Sequence, residues 1–237
     1  MRVRSHPDCW STSTWLARLS SGGELFWTKY LLTNDLLGLP GTAGEVYPHV
    51  YSLRETDEGD ILACGRVAQW ITSEDAMFVC LLDGETGETL WSTIHFGMSE
   101  AQVVDAVLTG SDMIVAVGST AESRSPEGND SVHLWGKRYP MIVLMDGSGN
   151  LLKVLALDLP VTDALQSLAV NDSSEGDFLV MGRNSSSGEA KLLNIRIPQG
   201  TDLFESGWLT NYSLRVGDEE FRTDDRGFFC RLGEAWR

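Results

Sequence analysis

Phe78-Val79-Cys80-Leu81-Leu82-Asp83, then Gly87-Glu88-Thr89-Leu90-Trp91, joins an apolar run to a second run bearing a large side chain through a glycine turn. The same phrase is written three more times. It recurs as Trp15-Leu16-Ala17-Arg18-Leu19 with Gly23-Glu24-Leu25-Phe26-Trp27, and as Ile142-Val143-Leu144-Met145-Asp146 with Gly149-Asn150-Leu151-Leu152-Lys153. The fourth copy is Leu192-Leu193-Asn194-Ile195 with Gly200-Thr201-Asp202-Leu203-Phe204. The turn glycines stand 64, 62 and 51 residues apart, a period long enough for a four-stranded unit. A second phrase alternates with the first: Asp60-Ile61-Leu62-Ala63-Cys64-Gly65, Asp112-Met113-Ile114-Val115-Ala116-Val117-Gly118, Asp177-Phe178-Leu179-Val180-Met181-Gly182 and Gly227-Phe228-Phe229-Cys230-Arg231-Leu232-Gly233. β-leaning runs precede each, at 50–53, 103–108, 165–170 and 212–216. One unit therefore reads as strands a, b, c and d joined by polar Gly/Asp turns.

Near-continuous apolar runs such as 113–117 require burial on both faces of a sheet, which stacked sheets provide. The fold expected is all-β: a single domain over 1–237, a β-propeller of four-stranded antiparallel blades at about 46–98, 101–158 and 162–210. The chain opens with c and d at 14–32 and ends with a and b at 211–236. Pairing these two half-blades would close a ring of about four blades and hide its edge strands. The alternative is an open fragment of a larger propeller.

Composition fits one body with a substantial core: 42% of residues are hydrophobic and 22% charged, so neither disulfide nor metal is needed to staple it. Eighteen Lys and Arg against 34 Asp and Glu give a net charge of −16, which repels phosphate backbones and anionic headgroups. Nucleic acid is not an expected partner, nor is membrane insertion, since no run of about 18 apolar residues occurs. The basic start Met1-Arg2-Val3-Arg4 is followed by no apolar stretch, so no cleavable signal is read there. The four cysteines are too dispersed for a disulfide framework; Cys64 and Cys80, on neighbouring strands, read as small buried hydrophobes or as a facing pair. Sequons at Asn129, Asn171, Asn184 and Asn211 read as products of serine-rich turns.

The stretch Asp75-Ala76-Met77-Phe78-Val79-Cys80-Leu81-Leu82-Asp83, with Gly87, Leu90-Trp91-Ser92-Thr93, Gly97, Asp105 and Val117-Gly118-Ser119-Thr120, resembles the bacterial β-propeller repeat family. That repeat reads Asp-Ala-Phe-Val-x-Lys-Leu-Asp, then Gly, Leu-Trp-Ser-Thr, Gly-Gly, Asp and Val-x-Gly-x-Thr. Met77 is an extra residue before the phenylalanine, and Leu81 replaces the family's lysine. Leu82-Asp83-Gly84-Glu85-Thr86-Gly87-Glu88-Thr89-Leu90-Trp91 is also similar to the tryptophan-docking phrase of quinoprotein-like propellers. Both resemblances imply a propeller, and the first implies a secreted or cell-surface protein without shared catalytic residues.

Chemistry-bearing patterns are sparse. His6, His49, His95 and His133 are far apart, and no zinc, phosphate-loop or nucleophile-elbow phrase occurs. Asp146-Gly147-Ser148-Gly149-Asn150 places oxygens as a calcium loop does, but Leu157 stands where the bidentate glutamate belongs, so it reads as a hairpin turn. Thr56-Asp57-Glu58-Gly59-Asp60 reads likewise. Trp27 and Trp91, at equivalent repeat positions, read as packing between blades. No catalytic residue, cofactor or metal is expected. The leading reading is a non-enzymatic interaction or ligand-binding module for a protein or glycan. Its rivals are a fragment of a quinoprotein-like enzyme and a structural repeat segment of a larger surface protein. The candidate binding residues are His133, Trp135, Lys137, Arg138 and Tyr139, an aromatic and basic tail on the long b–c loop of the third unit, in an otherwise acidic chain.

Overall fold

The computed structural model describes residues 14–31, 46–69, 75–95, 99–121, 138–157, 164–170, 177–183, 187, 190–196, 213–216, 219–223 and 229–231. Alternating apolar positions and glycine turns turn these segments into sixteen strands. No helix among the described residues is long and apolar enough to cross a membrane. The first sheet is β1 (Thr14–Leu19) with β2 (Leu25–Leu31). The second runs β3 (Val46–Glu55), β4 (Ile61–Gln69), β5 (Asp75–Leu82), β6 (Thr89–His95), and the third β7 (Ser99–Leu108), β8 (Met113–Ala121), β9 (Arg138–Asp146), β10 (Leu151–Ala156). The fourth holds six strands: β11 (Ala164–Val170), β12 (Asp177–Arg183), β13 (Ala190–Arg196), β14 (Ser213–Val216), β15 (Glu219–Thr223) and β16 (Phe229–Arg231). Among the described residues every pairing is antiparallel between strands adjacent in sequence.

The terminal segments differ from expectation. The strands within 211–236 were expected beside β1 and β2, yet β14 pairs with β13 through Ile195↔Val216 and Arg196↔Arg215, and β15 and β16 extend that sheet. A pairing between 14–32 and 211–236 is not among those of the described residues. The physical reason is local: the free edge of β13 presents unpaired backbone groups, and β14 satisfies part of that edge. No repeat phrase had marked β15.

Strand alternation assigns each side chain to one of two neighbouring sheets. On β4 and β5, Ala63, Val67, Phe78, Cys80 and Leu82 pack with Leu16 and Leu31 of the first sheet. The intervening Leu62, Cys64, Met77 and Val79 pack with Ala101, Val103, Ile114, Ala116, Met141 and Val143 of the third. Val115, Val117, Ile142 and Leu144 then meet Leu165, Phe178 and Val180 of the fourth. The apolar runs are thus two interleaved periods of two, one per interface, and each fully buried Phe, Leu or Ile contributes about 1.5–3 kcal/mol. The first strand of a sheet lies across its predecessor: β7 against β3, β4 and β5, and β11 against β7, β8 and β9.

A bulge recurs at one repeat position. Val50 pairs with Gly65 but Ser52 with Cys64, Val103 with Gly118 but Asp105 with Val117, Leu165 with Gly182 but Ser167 with Met181. The extra residue brings the backbone of strand a over strand b. A Cβ on Gly65 would collide with the His49 carbonyl, and one on Gly118 with that of Gln102. These glycines, legible only as punctuation in the sequence, make room for the bulge.

Candidate functional site

Arg138 and Tyr139 open β9, paired with Ala121 and Thr120 of β8. Both are half-buried and already engaged in interactions. As consecutive strand residues they face opposite sides of the sheet, so β9 does not present them together. His133, Trp135 and Lys137 lie outside the described residues.

The acidic turns are closed hairpins. Asp146 accepts the Asn150 backbone N–H (2.8 Å) and Nδ2 (2.7 Å), and its carbonyl accepts from Gly149 N (2.9 Å). The bond from the Asn150 side chain holds the Asp146 carboxyl below the usual range. In the 56–60 hairpin, Gly59 N donates to the Thr56 carbonyl and Thr56 N to that of Asp60. Among the described residues no group of three His, Cys, Asp or Glu is placed to hold a metal.

Tryptophans join consecutive sheets at these turns. Gly87, with φ +74°, lies under the Trp27 indole, and Gly149, with φ +83°, under that of Trp91. Left-handed φ selects glycine at both, and the missing side chain lets the ring lie on the backbone. Trp27 Nε1 also donates to the Gly84 carbonyl at 2.8 Å. Trp91 Nε1 is buried without a partner among the described residues, while Thr93 Oγ1 donates to the Gly149 carbonyl. In the third sheet the equivalent residue is Lys153, whose pKa burial pushes down.

The most organised polar cluster was not among the expected sites. Asp105, on β7, is buried where β3 crosses it. It accepts Arg54 Nε at 3.0 Å and Nη2 at 2.7 Å, Ser52 Oγ at 2.9 Å and the Ala106 N–H at 3.0 Å. The hydrogen bond to Asp105 pushes the Arg54 pKa up against the opposing effect of burial. The sequence carries a signal for this cluster: one carboxylate inside the apolar run Val103-Val104-Asp105-Ala106-Val107 demands a buried partner.

Beside it Arg18 donates to the carbonyls of Gly59 (3.1 Å) and Gly84 and pairs with Glu55 at 2.6 Å. Leu16, Ala17, Arg18, Trp27, Leu53, Arg54, Glu55 and Ile61 line an open cleft of about 140 Å³ between the first and second sheets. That is smaller than the range of about 300–1,000 Å³ for small-ligand sites, so the cleft suits a single protruding side chain or sugar edge. An apolar floor with the Arg18 guanidinium beside it suits contact with an apolar group bearing an acceptor. Cys64 and Cys80 offer no activated nucleophile. Cys80 pairs with Ala63, and Cys64 with Val79, so the two thiols point to opposite faces; both are free, and burial pushes Cys64 up and Cys80 up to about 12. The expectation of buried small hydrophobes agrees with this placement.

Against known proteins, the chain matches no family model and no curated protein.

Proposed function

We propose that the chain is an arc of propeller-type blades serving as a non-enzymatic interaction scaffold whose ligand is a protein or glycan. The observation that carries this reading is the use of the organised polar groups. Arg54, Asp105, Arg18, Trp27 and Thr93 all bond from one sheet to the next, work that rigidifies a surface instead of activating a substrate. The cleft beside Arg18 and Leu53 and the segment ahead of β9 are the two places where such a scaffold would meet a ligand.

The test is binding of the intact protein to a panel of glycans and acidic peptides, beside a Leu53→Asp variant and a Trp135→Ala, Arg138→Ala double variant. Loss of binding in either at an unchanged Tm supports the scaffold and locates its surface. A metal or quinone at one equivalent, by elemental analysis or absorbance, would instead favour the quinoprotein-like enzyme. Open faces at both ends of the stack favour the structural-segment reading, which in-frame blades in flanking sequence would establish.

A further inference from the structure

The contact surfaces between sheets use fixed repeat positions. Ladder register aligns them: Cys64↔Val79 in the second sheet, Val117↔Ile142 in the third and Met181↔Leu192 in the fourth. Leu62, Cys64 and Val79 pack onto the third sheet, and Val115, Val117 and Ile142 onto the fourth. The corresponding residues of the fourth sheet, Leu179, Met181 and Leu192, are 38%, 40% and 72% exposed. The forward half of an inter-sheet interface is therefore present and open at one end of the stack.

The opposite end presents the backward half. Leu16, Leu31 and Trp27 turn inward onto the second sheet, which leaves Trp15, Leu19, Phe26 and Tyr30 on the outer face, each more than half exposed. Trp15 and Tyr30 are cross-strand partners and form one aromatic surface. The turn gives a second, independent sign. Gly87 and Gly149 each lie under an indole from the preceding sheet, whereas Gly23, the equivalent glycine with φ +85°, has nothing within 4 Å of a Cβ built on it. Among the described residues no ring lies on Gly23.

We propose that a second copy of this chain docks head to tail, the outer face of its fourth sheet covering the Trp15–Tyr30 face of the first. The occupant is argued from continuity: the exposed positions are those that already form the interfaces within the chain. The contact is heterologous, so it closes only if the rotation returns on itself. Two copies contribute four sheets each among the described residues, eight in all, within the range of about four to eight blades in closed propellers. A charge of −16 per copy opposes the approach, so the apolar area must drive it and salt must strengthen it. The inference rests on the open-arc reading, while its test reads assembly instead of ligand binding, so the two fail separately.

Sedimentation equilibrium of the full chain, with Tyr30→Glu and Leu192→Glu variants, provides the experiment. The unaltered protein is expected to self-associate, more tightly at high salt. Each variant alone should weaken association by about tenfold or more with its strand circular dichroism unchanged. Mixing the two should restore a dimer, because the intact fourth sheet of one variant meets the intact first sheet of the other. Should either variant lose its strand signal, Phe26→Glu or Met181→Glu probes the same face. A chain that stays monomeric, an assembly both variants leave intact, or a mixture without recovery overturns the proposal.

Discussion

The junction between the first and second sheets and that between the second and third share one plan and differ in their polar locks. Each lays a tryptophan on a left-handed glycine. At the first, Trp27 has its Gly84 acceptor, and Arg18 reaches the exposed Glu55 and two carbonyls. At the second, Trp91 Nε1 lacks an acceptor, and the buried Asp105 holds Arg54 in a bidentate pair. The turns account for the indoles: Asp83-Gly84-Glu85-Thr86-Gly87 is one residue longer than Asp146-Gly147-Ser148-Gly149. The added residue accompanies the carbonyl that Trp27 uses. Repeat position thus determines the apolar contact, while the polar locks differ from one junction to the next.

The largest effect expected is on the ion pairs. Asp105→Ala should lose about 3 kcal/mol in urea unfolding, the lower end for breaking a buried pair because Arg54 is partly solvated. Glu55→Ala should lose less than about 1 kcal/mol, as exposed pairs do. Equal losses would break the contrast between the junctions.

The turn glycines come next. Gly23→Ala, with open space but a left-handed φ, should cost about 1 kcal/mol. Gly149→Ala carries the same backbone strain and displaces the Trp91 ring, adding about 1 kcal/mol, the lower end for overpacking. Matching Tm values for these variants would mean that the indole contact is loose.

Substituting the indoles sharpens the comparison further. Trp27→Phe removes packing and a hydrogen bond, whereas Trp91→Phe removes packing and a donor that had no acceptor. The former should be more destabilising by about 1 kcal/mol; the reverse order in chemical unfolding would contradict the acceptor assignment.

The smallest effect is a titration at the end of the second sheet. Burial lowers the His95 pKa below 6.5, so the unfolded chain takes the proton first. This contribution is fully present above pH 6.5 and is lost as pH falls toward the lowered value. Stability measured from neutral pH downward should decline through that window, and His95→Gln should flatten the slope. An unaltered slope would place the titration elsewhere.

Much of the architecture was legible. The four-strand phrases located the second and third sheets because alternation and glycine turns are local properties. The same reasoning anticipated Trp27 and Trp91 as packing between sheets. It passed over Arg18 and Arg54, since an arginine on a strand reads as solvated until the partner sheet is in place. It also placed Arg138 and Tyr139 in the b–c loop with His133, Trp135 and Lys137, whereas those two residues open β9.

The sequence by itself determined that this chain forms strands in repeated units buried on two sides, because residue spacing alone specifies a period of two and the places where the backbone must turn. Only tertiary structure decided which sheet received the last strands, why Gly65 and Gly118 must lack side chains and which carboxylate is clamped. Those outcomes depend on groups brought together from distant positions: β13's free edge accepts β14, a bulged strand crosses a glycine, and Asp105 finds Arg54 across an interface.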